Sequence, residues 1–383
     1  MNDKKYKELA IDFIKNSPYK TGEFSGKNWG HEWHSLCSYQ GKLKPAIAYN
    51  LVSIFTEEGD LVLDPLCGVG TIPFEACMNG RVGIGNDLSE LAYVVSCSKL
   101  QKPLLKDVYD ELAKLNDHIL THKNDYKDDS LPYSDWGFNG KLPEYYETNT
   151  YKEILAARDY YKKTFSDRKQ SSAYCLVLSC MLHILHGNRP YALSRNSHPL
   201  TPYKPTGDFV YKSVYQHVLE KIEKTYKKDD FSNYKRGLVF NNDFIDLPKY
   251  LDKKVDWIIT SPPFTASIRF YINNWLRLWF VGWEPLDFKK ADSIFLDGKQ
   301  NKNLDEYIPF FETCSKLLKP NGRMILHLGK TSKVDMAEEL MKRASQYFVE
   351  IYRGDENVDD IEHHGIKDKG GTFAHQFLFL KKK

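Results

Sequence analysis

An α/β fold on a Rossmann-like, largely parallel seven-stranded sheet, carrying a large helical insertion, is the architecture this sequence predicts, and three observations predict it. Five short β-type runs recur, four of them with Gly, Asn or Asp at their carboxyl ends and one with Ser-Pro-Pro, the pattern of parallel strands whose ligands bind at those ends. Two further β-type runs finish the chain. Between the second and third runs lies a long charged, Tyr-rich interval with helical candidates and no comparable strand series.

The five runs are LVLDP (61–65), VGIGND (82–87), GLVFNND (237–243), VDWIITSPP (255–263) and GRMILHLG (322–329). Between the first two, TIPFEACMNG reads as a short helix closed by Asn79-Gly80, so a βαβ unit opens the sheet. Ahead of the fifth, LLKPNG marks a helix end and a Pro-Asn-Gly turn that feeds the strand. YFVEIYR (347–353) and GTFAHQFLFLKK (371–382) read as a terminal antiparallel pair. The chain then divides into 1–100, an N-terminal segment plus the first half of the sheet domain; 101–236, a helical insertion; and 237–383, the second half, with an aromatic-rich insertion at 265–312. Helices are expected in LLKDVYDELAKLNDHILTHK, EILAARDYYKKTF, SAYCLVLSCMLHILHG and FVYKSVYQHVLEKIEKTYKK, and a mobile linker at KNDYKDDSLPYSD (123–135).

Composition narrows the classes. With 54 basic against 51 acidic residues, net charge is +3, so any basic face for nucleic acid must be local. No apolar run reaches the ~18–20 residues of a spanning helix, and the charged N-terminus lacks a signal-peptide core, so a cytoplasmic protein with no membrane partner is expected. The seven cysteines form no CxxC or Cys/His cluster at zinc spacing, and His186 and His198 stand isolated, so no metal site is expected. The 25 tyrosines offer stacking faces for bases.

VLDPLCGVGTIPFEA places Asp64 at a strand end, Gly68 and Gly70 in the turn, and Thr71 at a helix start, where unpaired N–H groups await a polar ligand. It is neither GxGxxG nor a P-loop, which disfavours NAD and ATP. The next strand ends in Asp87, an acid placed to accept ribose hydroxyls. A nucleoside ligand follows. Cys67, within the loop, has no His or Asn pattern nearby to make it a nucleophile.

LDPLCGVGTIPFEA with GIGNDLS resembles motifs I and II of S-adenosylmethionine-dependent methyltransferases. The resemblance implies S-adenosylmethionine as cofactor, its methionine portion wrapped by Asp64, Pro65, Cys67, Gly68, Gly70 and Thr71, its ribose held by Asp87 beside Leu88, and its adenine approached by Asn242 and Asp243. Upstream, Ser38, Gln40, Gly41 and Lys42 loosely match motif X, a turn that closes over the methionine end; Ser38-Tyr39-Gln40 departs from that pattern.

Ser261-Pro262-Pro263-Phe264 resembles motif IV of amino-directed nucleic-acid methyltransferases, and the chemistry explains the residue types. An exocyclic amino group is a poor nucleophile because its lone pair is delocalised into the ring. Hydrogen bonds from its N–H groups to a side-chain oxygen and a backbone carbonyl favour a pyramidal nitrogen, and proline supplies the carbonyl on a backbone of fixed φ. Phe264 would stack on a base that is flipped out or single-stranded. In that family Ser at the first position goes mainly with cytosine N4, Asp or Asn with adenine N6 or guanine N2.

The stretch HGNRPYALSRNSHPLTPYKPTG (186–207) supplies substrate candidates Arg189, Tyr191 and Arg195, groups that contact phosphates and base edges. Its place between the second and third strands fits none of the named motif orders. Arg269 and Tyr271 are expected to border the base pocket, while Trp275, Leu276, Leu278, Trp279 and Phe280 follow helical spacing and are assigned to the core. Glu75 and the EHH run at 362–364 are expected to face solvent or cap helices. The reading is a DNA methyltransferase acting on double-stranded DNA, cytosine N4 favoured; such enzymes commonly protect DNA from a companion restriction endonuclease or belong to phage, and both contexts stay open. Adenine N6 in DNA and guanine N2 in RNA are the alternatives, the latter because DPLCGVGTIPFEA is also close to the loop of guanine-N2 transfer-RNA and ribosomal-RNA enzymes. A non-catalytic partner is disfavoured because both motifs are intact.

Overall fold

The computed structural model describes residues 1–26, 29–196, 204–227, 230–265, 269–357 and 372–383. Its sheet contains β1 (Leu61–Asp64), β2 (Val82–Asn86), β3 (Leu238–Phe240), β4 (Val255–Thr260), β5 (Leu318–Thr331), β6 (Phe348–Asn357) and β7 (Thr372–Lys382) in the order β3-β2-β1-β4-β5-β7-β6. The first five pair in parallel, and β7 runs antiparallel between β5 and β6. This is a seven-stranded, Rossmann-like α/β sheet, as the strand pattern predicts. Strand order reverses between β1 and β4, so a crevice opens there at the carboxyl edge.

Strand alternation divides the apolar residues between two faces. Val62, Trp257, Ile259, Ile325, Phe377 and Phe379 pack under α1 (Asp3–Asn16) and α2 (Pro45–Phe55), where Tyr6 meets Phe55, Trp257 and Phe379 edge-on. Leu63, Ile258, Met324, Leu326, Leu378 and Leu380 face the opposite layer with Phe310, Phe311 and Leu340. The terminal antiparallel pair is present as expected. The Pro-Asn-Gly turn lies inside β5: Asn321 adopts φ 65°, and pairing with β4 slips between Val255 and Trp257. The irregular turn is absorbed as a bulge because Leu318 still pairs with Val255.

After α3 (Thr71–Met78) and α4 (Glu90–Leu100), the insertion supplies α5 (Leu105–His122), α6 (Thr148–Arg168), α7 (Ser172–Ile184) and α8 (Val214–Tyr226). Helix α8 starts later than its apolar pattern suggests because the Ser213 side chain accepts from Gln216 N–H as an N-cap. The second insertion folds into α9 (Phe270–Asn273), α10 (Trp275–Phe280), α11 (Pro285–Ile294) and α12 (Leu296–Lys299); α13 (Tyr307–Leu317) and α14 (Met336–Ala344) cover the sheet. The two insertions share one core. Trp275, Leu276, Leu278, Trp279 and Phe280 are fully buried with Tyr146, Tyr151 and Tyr161. Arg158 of α6 ties them: Nε donates to Trp279 O at 2.8 Å, Nη1 to the Tyr133 hydroxyl at 2.8 Å, and Nη2 to Glu284 at 2.9 Å.

Two expectations are corrected. The segment 123–135 is no free linker, since Tyr133 donates to Glu284, Pro132 O accepts from Tyr151, and Lys152 pairs with Asp128. Nor does Glu75 face solvent: it is buried, 2.6 Å from His34 Nε2. Burial pushes Glu75 up to about 8 and holds His34 well below the usual imidazole range, so the carboxyl O–H donates to a neutral ring. His198 and the 362–364 run lie outside the described residues.

Candidate active site

Between β1 and α3 the chain turns tightly, with Gly68 at φ +50° and Gly70 at φ +69°, a region L residues rarely adopt. A Cβ at Gly70 would also meet Ser96 Oγ at 2.8 Å. The loop is held from beneath: Lys99 Nζ donates to Val69 O at 2.6 Å, Ser96 Oγ to Gly68 O at 2.9 Å, and Cys67 N–H to Asn86 O at 2.9 Å. With its carbonyls engaged below, Gly68 N–H donates across to Asp87 Oδ2 at 2.9 Å, while Ser89 N–H donates to Oδ1 at 2.9 Å. Asp64 accepts from Thr260 Oγ1 at 2.6 Å and Leu66 N–H at 3.1 Å, so the end of β1 is tied to the residue preceding Ser261.

These elements wall a cleft of about 440 Å³, within the range of ligand sites. Asp64, Cys67, Gly68, Thr71, Asp87 and Leu88 line it from β1, β2 and the loop; Asn242 and Asp243 close it beyond β3. Tyr39, Gln40, Gly41 and Lys42 cover it from the segment before α2. Ser261, Pro262, Pro263 and Phe264 line the same cavity from the end of β4. Burial raises both acids, Asp64 to about 7 and Asp87 to about 6. It also pushes the Cys67 thiol well up, with Asp87 and Asp64 adding to the effect, so that cysteine stays protonated.

Other expected residues lie elsewhere. Pro65 and Gly70 are not among the lining residues; Pro65 O accepts from Asn86 Nδ2 at 3.1 Å, and Gly70 shapes the turn into α3. Ser38 meets His183 Nδ1 at 3.2 Å, and Lys42 turns its ammonium away to donate to His34 O at 2.7 Å. Arg269 and Tyr271 both reach Asp292 Oδ1, at 2.8 and 3.1 Å, leaving Phe270 and Asn273 to line the cleft. Arg195 is committed to the carbonyls of Gly207 and Glu144 and lies over the Phe209 ring. Tyr191 is buried, with its hydroxyl 3.3 Å from His183 Nε2 and accepting from the exposed Arg189 at 2.6 Å. None of Arg189, Tyr191 and Arg195 lines the cleft.

Sequence reasoning missed His327, which lines the cleft with its Nδ1 3.1 Å from Ser261 Oγ. The register supplies what the sequence does not: Thr260 pairs with Leu326, so Ser261, just past the end of β4, lies beside His327, still within β5. Gly329 completes the arrangement, since a Cβ there would stand 2.7 Å from the Phe264 ring.

Residues 33–115 match the family model described as UPF0020: RMKL-like, methyltransferase domain. No curated protein matches the chain. Among solved structures it is similar to TrmN from Thermus thermophilus (13% identity, TM-score 0.33, 90% of this chain), and it spans half, 50%, of that chain's length. It is similar also to the rRNA methyltransferase aviRa from Streptomyces viridochromogenes (8%, TM-score 0.33, 90% of this chain and 88% of that one). A third is an rRNA methylase from Streptococcus thermophilus (7%, TM-score 0.32, 88% and 94%). The segment that matches this methyltransferase-domain model contains the glycine loop, Asp64 and Asp87. The donor set fits S-adenosylmethionine: the buried Asp64 and half-buried Asp87 suit hydroxyls and positive charge, and the positive-φ turn lets backbone approach closely.

Proposed function

We propose that this cleft methylates an exocyclic amino group of a nucleic-acid base, with RNA as the favoured polymer and guanine N2 as the favoured atom. The observation that carries the amino-directed reading is the continuity of the cleft: the glycine loop and Asp87 wall one side, and Ser261-Pro262-Pro263-Phe264 the other. When bound, S-adenosylmethionine supplies the methyl group from its sulfonium. Ser261 Oγ and a proline carbonyl accept the base N–H groups, favouring a pyramidal nitrogen, and Phe264 offers its face to the ring. Asp87 holds the ribose, and Asn242 and Asp243 approach the adenine. The RNA preference is supported by the loop DPLCGVGTIPFEA, which lies inside the matched segment and resembles that of guanine-N2 enzymes.

A second reading, cytosine N4 in duplex DNA, is favoured by Ser261, since guanine-N2 enzymes carry Asp or Asn there. A double-stranded DNA partner and a companion endonuclease belong to that reading alone. Incubating the protein with labelled S-adenosylmethionine and equal amounts of RNA and duplex DNA separates the two. Label in RNA supports the first reading; label confined to DNA replaces it with the second.

A further inference from the structure

His327 has no part in the motifs from which the amino-directed reading was drawn. Resting on that reading, we propose that His327 is the positioning residue for Ser261: its Nδ1 accepts the serine hydroxyl proton and so leaves the oxygen lone pairs to face the base amino group. A serine hydroxyl rotates freely and presents its proton as readily as its lone pairs. A base amino group used as an N–H donor needs the lone pairs alone. The 3.1 Å separation between Nδ1 and Oγ meets that need, and both side chains line the cleft.

The ring is held in place from several sides. His327 is 3% exposed on a central strand, with ring centroids of Phe264, His375 and Phe377 at 5.4, 4.9 and 4.9 Å. Its Nε2 has no hydrogen-bond partner among the described residues, so Ser261 is its hydrogen-bonding neighbour there. Burial holds the ring well below the usual imidazole range, and the charged groups acting on it, His375 and Lys44, both oppose a proton. In the neutral Nε2–H tautomer the acceptor nitrogen is Nδ1, which is the form the proposal requires; an imidazolium would have no acceptor. His327 therefore orients the hydroxyl, and no proton transfer to it is proposed.

The test has two arms on the full chain. In ¹⁵N NMR of the protein labelled at histidine, Nδ1 of His327 should give the signature of an unprotonated acceptor, and Ser261→Ala should move it. In kinetics, His327→Leu should lower kcat about tenfold, the worth of one oriented hydrogen bond, with KM for S-adenosylmethionine unchanged. His327→Asn, whose amide oxygen falls near the Nδ1 position, should recover most of that loss. A protonated Nδ1, or an Asn variant as slow as the Leu variant, overturns the proposal; the NMR arm on the unaltered protein stands even if the Leu variant fails to fold. Methylation of a ring carbon or ribose with the NMR signature intact overturns the amino-directed reading instead, which keeps the two failures apart.

Discussion

On the cofactor half of the cleft, groups between Asp64 and Lys99 hold one another through backbone bonds, the buried Asp64, the half-buried Asp87 and a buried lysine. On the half proposed to take the base, the Ser261 segment, His327 and Gln300 come from distant parts of the chain and meet through rings and single hydrogen bonds. The first half is local and polar, so it is organised before any ligand arrives. The second depends on β4, β5 and the second insertion being brought together. Damage to the scaffold should therefore reach the base half while sparing the cofactor half.

The largest effect is expected behind the base half. Trp279→Ala removes a fully buried indole at the junction of the insertions and should cost about 3–5 kcal/mol of stability, read by chemical denaturation. Equal stability would mean that the shared core is not what joins them. Ser261→Ala should lower kcat about 100-fold, roughly 2.7 kcal/mol, with cofactor affinity retained by calorimetry. Parallel loss of both would show that the halves are not separable. Asp87→Ala should do the reverse, weakening cofactor binding by about tenfold or more before it affects the methyl-transfer step.

A smaller effect concerns pH. Asp64 and Asp87 are raised to about 7 and about 6, above their unfolded value, so the native state binds more protons and the unliganded protein should lose stability as pH rises from about 4 to 7. Cofactor binding uses the ionised acids, so its affinity should rise over that same interval. Melting curves with and without cofactor test the opposed slopes. Parallel slopes would contradict the assignment of these acids to the cofactor half.

This contrast also explains what could be read from the sequence. The loop at 64–71, Asp87 and the strand ends were legible because each is a short-range pattern with a backbone cause: glycines at positive φ, an acid at a strand end. His327 was not, because nothing in GRMILHLG distinguishes a core histidine from one beside Ser261 until the register with β4 is known. Arg195, Arg269 and Tyr271 suggested substrate contacts by residue type, yet their partners, Gly207, Glu144 and Asp292, are internal. Glu75 misled for the same reason: a charged residue near a helix end gives no sign of a histidine arriving from residue 34.

The central claim is that the two halves of one cleft deliver a methyl group to an exocyclic nitrogen. Digesting the labelled nucleic acid and identifying the modified nucleoside by mass spectrometry and NMR reads the methylated atom directly. The account predicts the methyl on an exocyclic amino nitrogen, and its loss in Ser261→Ala. A methyl on a ring carbon, a ring nitrogen or a ribose oxygen would contradict it.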